Sequence, residues 1–136
     1  MNPGAGHDLA GFLAIVRDRD PLTFPETIDA LPIALQEPGV WRLVIASHPR
    51  IILWDGLSEP AAALLARLFE TQELALQPCH AGIYNYSERR VDLTAVSAIP
   101  GDPQREYWMP CTVGVGPISS LNARWKIGYN AGLPSN

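Results

Sequence analysis

Residues 41–69 read WRLVIASHPRIILWDGLSEPAAALLARLF, and they decide the fold. Residues 41–47 and 50–54 are two short runs rich in branched and aromatic side chains, the composition of strands. His48-Pro49 lies between them and can turn the chain, which predicts a hairpin. Asp55-Gly56 is expected to end the second strand. Ser58 then offers a hydroxyl to first-turn amides, with Pro60 tolerated in that turn, so a helix starts here. Ala61, Leu64, Leu65, Leu68 and Phe69 form one wide apolar stripe along it. Such a stripe must face a sheet or another helix.

Towards the N-terminus the period stays helical. Leu9, Phe12, Leu13 and Val16 fall at i, i+3, i+4 and i+7 behind a capping Asp8, and Pro21 prevents continuation. Thr23-Phe24-Pro25-Glu26 fits a capping box, with Ile28 and Leu31 on one face and Pro32 as the stop. Gln36-Glu37-Pro38-Gly39 reads as a turn. Towards the C-terminus the chain reads as strand and turn. Candidate strands are 73–77, 82–86, 91–96 and 106–115, the last interrupted by Pro110, with an edge strand over 124–129. Ser87-Glu88-Arg89-Arg90 is a polar reversal, and 99–104 is a loop. Segregated element types argue for α+β over alternating α/β. The expectation is a single α+β domain over 1–136, with 1–6 and 130–136 loose. It has a mainly antiparallel sheet of five or six strands and two or three helices on one face. Leu13, Val16, Leu43, Ile45, Ile52, Leu64, Leu65, Leu68, Phe69 and Val113 are the expected core.

Composition narrows the function classes. Of 136 residues, 47% are apolar and 18% charged, a globular balance. Ten basic and fourteen acidic residues give −4, so a broad basic footprint for nucleic acid or anionic lipid is not expected. No apolar run reaches the roughly 20 residues that span a bilayer. The first eight residues lack the basic region of a signal peptide, so a cytoplasmic protein with reduced thiols is expected. Lys126 is the single lysine among the ten basic residues. With the many Ala, Pro and Gly, this resembles the codon bias of a GC-rich bacterial genome.

Each catalytic constellation lacks the spacing its chemistry needs. His48, Cys79, His80 and Cys111 have zinc-ligand side chains, but no Cys-x-x-Cys or His-x-x-x-His pair pre-forms half a site. Cys79 or Cys111 with His48 and Asp55 would supply nucleophile, base and orienting carboxylate. Neither cysteine precedes a helix that would lower its pKa. Asp18, Asp20, Glu26 and Asp29 crowd the first helix junction, yet two sit in a polar run and Glu26 has a capping role. Gly114-Val115-Gly116-Pro117 is glycine-rich, but a phosphate loop needs a helix directly after it. Pro78-Cys79-His80-Ala81-Gly82 and Pro110-Cys111-Thr112-Val113-Gly114 share Pro-Cys-x-x-Gly, too short an echo for a repeat.

Two readings stay open beside a Cys/His enzyme. In the first, helix, strand and wing around Arg89-Arg90 resemble a winged helix in element order. Its helix offers only Arg67 among Glu59, Glu70 and Glu73, few charges for phosphates. In the second, the aromatic set matters: Trp41, Trp54, Tyr84, Tyr86, Tyr107, Trp108, Trp125 and Tyr129. Tyr107 and Trp108 face opposite ways if extended, which leaves one outside the core. Exposed Tyr, Trp and Arg make interface hot spots. Arg105, Tyr107, Trp108, Arg124 and Trp125 are therefore the candidate binding face. The reading is a small accessory protein of adaptor or inhibitor type that recognises a protein partner without catalysis. No cofactor, metal or membrane is expected. Homodimerisation is a further expectation, because an open sheet edge is readily paired.

Overall fold

The computed structural model describes residues 8–86, 89–101, 105–115 and 120–132. The expectations placed on residues 1–6, Ser87-Glu88, Asp102-Pro103-Gln104, Gly116-Pro117 and 133–136 lie outside them. Helix α1, Leu9–Arg19, is capped by Asp8, whose carboxylate accepts from the Gly11 amide at 2.7 Å. Helix α2, Phe24–Ala30, has the expected capping box, with Thr23 and Glu26 each accepting the other's amide. A short 3-10 turn at Ile33–Leu35 leads into strand β1, Pro38–Ile45, and strand β2, His48–Leu57. Helix α3, Glu59–Glu70, starts at the Ser58 cap. Strand β3, Ala75–Pro78, precedes a 3-10 helix at Ala81–Tyr86. Strands β4, Tyr107–Trp108, and β5, Cys111–Gly114, precede helix α4, Leu121–Arg124, and strand β6, Ile127–Ala131.

The fold is α+β, but its strands divide between two sheets. Four form a mixed sheet in the order β4-β2-β1-β6, and β3 pairs with β5 in a separate two-stranded sheet. β1 runs antiparallel to β2 and to β6, whereas β4 runs parallel to β2. One sheet of five or six strands is thus not formed. The 106–115 run divides at Met109-Pro110. Before it, Tyr107 and Trp108 join β2; after it, Cys111–Gly114 joins β3. Proline cannot donate to a ladder, so a strand tends to change partner there.

Two other strand expectations also fail. Residues 82–86 curl because the His80 carbonyl accepts from Ile83 and the His80 ring from Gly82, pairs that an extended chain cannot make. Residues 91–96 stay irregular apart from one parallel bridge, Ala95 to Trp108. β2 runs through Asp55-Gly56 to Leu57, with Gly56 at φ +74°, a conformation glycine adopts without steric cost. Asn130 and Ala131, expected in a loose tail, close β6 against β1.

The helices do not share one face. α3 lies over β1 and β6, α1 and α2 pack on β5, and α4 packs on β3. Asn122 fixes α4. Its amide donates to the Phe69 and Leu74 carbonyls at 2.8 Å each, and its oxygen accepts from Leu76 at 2.9 Å. One apolar cluster runs from Phe12 to Ile127 through both sheets. Val16, Leu43, Ile45, Ile52, Leu65, Leu68, Phe69 and Val113 are buried in it as expected; Leu13 and Leu64 are half-buried at its margin. Ile51, Ile52, Leu53 and Trp54 are all buried, so β2 is covered on both faces.

Candidate functional site

An aromatic cluster at the centre of the core underlies the candidate surface. Trp54 stacks on Phe24 at 5.4 Å and meets Tyr84 at 5.5 Å and Trp108 at 6.4 Å. Tyr84 stands edge-on to Trp108 at 5.1 Å. The buried Tyr84 hydroxyl donates to the Cys111 carbonyl at 2.7 Å and accepts from the Phe24 amide at 3.0 Å. Burial pushes the Tyr84 phenol well above its ordinary pKa. Arg89 caps Trp54 at 4.9 Å and Arg90 caps Trp108 at 5.1 Å. Arg89 also pairs with the Asp55 carboxylate. The sequence showed this Arg doublet as a polar reversal or the tip of a wing; its aromatic partners, Trp54 and Trp108, lie on β2 and β4.

Trp108 is fully buried, which takes it out of the expected binding face. The alternation at Tyr107-Trp108 holds, with Tyr107 only half-buried. Arg105 is exposed and stacks on Tyr107 at 5.2 Å. Glu106 next to it pairs with Arg42 at 2.7 Å. Arg124 is exposed, and the half-buried Trp125 meets the His48 ring edge-on at 5.3 Å. Strand order places β4 and β6 at opposite edges of the sheet. The two halves of the expected face are therefore not neighbours along the sheet.

They are joined by residues 92–99, which line three concavities in succession. The first, about 540 Å³, lies between Asp92, Leu93, Thr94, Arg105 and Glu106. The second, about 190 Å³, has Ala95, Val96 and Ser97 on one side and Cys79, His80 and Pro110 on the other. The third, about 320 Å³, is reached past Ser97, Ala98 and Ile99, with Met109, Arg124 and Trp125 among its walls. Arg105 thus stands at the start of this line and Arg124-Trp125 at its end. The segment is held in place by β4, since the Trp108 amide donates to Thr94 at 3.0 Å and Val96 donates to the Trp108 carbonyl at 2.8 Å.

The reactive side chains take other places. Cys79 and Cys111 lie on neighbouring chains, because Pro78 pairs with Cys111 and the Cys79 amide donates to Pro110 at 2.9 Å. The two Pro-Cys echoes are thus paired with each other. Desolvation pushes the Cys79 thiol up to about 11 and the fully buried Cys111 thiol well above its ordinary value. Both hold their protons at neutral pH, the opposite of an activated nucleophile. His80 Nδ1 accepts from Gly82 at 2.9 Å. His48 and Asp55 sit seven residues apart on β2, roughly 23 Å in an extended strand, so no relay joins them. Among the described residues no three His, Cys, Asp or Glu side chains come together to hold a metal ion. The wing reading loses its strands, since 82–86 and 91–96 form none, and its Arg89 and Arg90 lie on tryptophan rings.

No family model, curated protein or solved structure matches the chain. No helix among the described residues is long and apolar enough to cross a membrane.

Proposed function

We propose that this protein is a recognition module of adaptor or inhibitor type, without catalysis of its own. It takes a protein partner along the line of concavities bordered by residues 92–99. The supporting observation is that Arg105 on Tyr107 opens this line and Arg124 with Trp125 closes it. Arginine and aromatic side chains at the rims of small cavities suit anchoring: they bury large area and still hydrogen-bond. Successive hollows suit an extended segment that inserts a side chain into each.

The test combines Arg105→Ala, Arg124→Ala and Trp125→Ala in one variant, with Val40→Ser as a distant surface control. A photo-crosslinker at position 97 marks the contact. Hot-spot anchors cost at least about 2 kcal/mol each, so the triple variant should lose well over tenfold in capture of the crosslinked partner. Equal capture by the triple variant and the control, or no crosslink from position 97, removes this surface.

A further inference from the structure

We propose that the outer edge of β6 pairs antiparallel with β6 of a second copy, about a two-fold axis through Tyr129. The register of β6 on β1 dictates which backbone groups point outward. Ala46 donates to Lys126 and Gly132 donates to Val40, so the hydrogen-bonded pairs fall at Lys126, Gly128, Asn130 and Gly132. Bonding alternates along an antiparallel ladder. Ile127, Tyr129 and Ala131 therefore aim their N–H and C=O away from β1, and among the described residues no strand meets them.

These three outward pairs are spaced evenly about Tyr129. An identical strand run antiparallel through that point meets every donor with an acceptor. Tyr129 exchanges two bonds with its own copy, and Ile127 exchanges two with Ala131 at each end, six in all. Large faces small at Ile127 and Ala131, and Gly128 gives room to Asn130 on the other side of the sheet.

Among the described residues the edge carries none of the devices that block such pairing. Ile127–Ala131 contains no charge and no proline, and its register with β1 has no bulge. The nearest charge, Lys126, would lie across from Gly132. The two copies of Lys126 then stand six residues apart, roughly 20 Å, where salt screens them. Tyr129 is 43% exposed and leans on Trp41 at 5.7 Å, so pairing would cover an aromatic surface. α3 lies over β1 and β6, with Glu70 reaching Lys126 at 3.8 Å. The same axis sets both α3 helices on one face of the joined sheet.

The two-fold places residue 129 against itself, and that makes the test specific. Wild type should show a concentration-dependent dimer in sedimentation equilibrium. Tyr129→Lys alone and Tyr129→Glu alone should each weaken it about tenfold or more, because like charges meet on the axis. An equimolar mixture of the two variants should recover a heterodimer. In wild type the amides of Ile127, Tyr129 and Ala131 should exchange fast in dilute solution and slow as concentration rises. Those of Gly128 and Asn130 should stay protected throughout. This second measurement needs no variant and stands if a substitution unfolds the chain. A monomer at every concentration up to the solubility limit, or a dimer that leaves those three amides fast, overturns the proposal. So does a mixture of folded variants that stays monomeric.

Discussion

The two edges of the four-stranded sheet are treated differently. At β4 the outer edge is closed by irregular chain: Thr94 and Val96 bond to both backbone groups of Trp108, and Arg90 lies on its indole from outside. At β6 the edge is regular, uncharged and bare among the described residues, with Tyr129 beside it. A sheet edge is a row of unmet donors and acceptors, and a monomer must cover it, charge it or twist it away. This chain covers the first edge with a segment that also borders three concavities, so one stretch closes the sheet and shapes a surface. Among the described residues nothing comparable covers the second, and it keeps the symmetry that a second copy could use. The two proposals divide along this line: a protein partner at the covered edge, a second copy at the bare one.

The largest effect should come from emptying the covered edge. Trp108 is fully buried and touches Trp54 and Tyr84. Trp108→Ala should therefore cost about 3–5 kcal/mol in denaturant unfolding, through lost transfer energy and the cavity left behind. Tyr129→Ala on the bare edge, in dilute protein, should stay within about 0.5 kcal/mol. Similar costs at both positions would mean that the edges do not differ in the way described.

A milder change sharpens the contrast. Arg90 reaches the Trp108 ring and also donates to Asn85 at 3.3 Å. Arg90→Ala should lower stability by about 0.5–1 kcal/mol, the range for an exposed cation on an aromatic face. It should also speed hydrogen exchange at the Trp108 and Val96 amides, which tie the irregular segment to β4, and leave the β1–β6 ladder unchanged. Uniform acceleration across both edges would show that Arg90 supports the whole core and has no special hold on that segment.

What the sequence disclosed about these edges follows the range of the interactions. Asp8, Thr23 and Ser58 cap their helices as read, because a cap depends on a side chain and an amide three residues on. The β1–β2 hairpin was legible for the same reason, since both strands lie in one stretch, but its turn is Ala46-Ser47, and His48-Pro49, read as the turn, opens β2. Strand state at 82–86, 91–96 and 106–115 was not, because a short apolar run takes the state its distant partner permits. Tyr107-Trp108 shows the limit closely. Alternation required one ring inside, but only pairing with Ile51 and Ile52 decides that it is Trp108. Arg105, Arg124 and Trp125 were readable as interface residue types. The hollows they border were not, since those arise where 92–99 crosses β3, β4 and α4.

The smallest effect concerns the thiol beneath the covered edge. Cys79 lines the second concavity opposite Ala95 and Ser97, and desolvation holds its pKa near 11 against an ordinary 9.0. The sign of the linkage follows from the neutral form being favoured in the fold. Below pH 9.0 both states keep the proton and the thiol adds no slope. Between 9.0 and about 11 the unfolded chain releases it first, so stability falls as pH rises through that window. Cys111 and Tyr84 are raised by burial and act in the same direction. Cys79→Ala should therefore reduce the alkaline loss of stability without abolishing it. The difference between wild type and variant isolates the contribution of the Cys79 thiol. If that thiol is desolvated by the segment above it, Arg90→Ala should shrink the difference by loosening residues 92–99 and letting water reach the sulfur. An unchanged difference would place its burial in β3 and β5 alone and detach it from the edge.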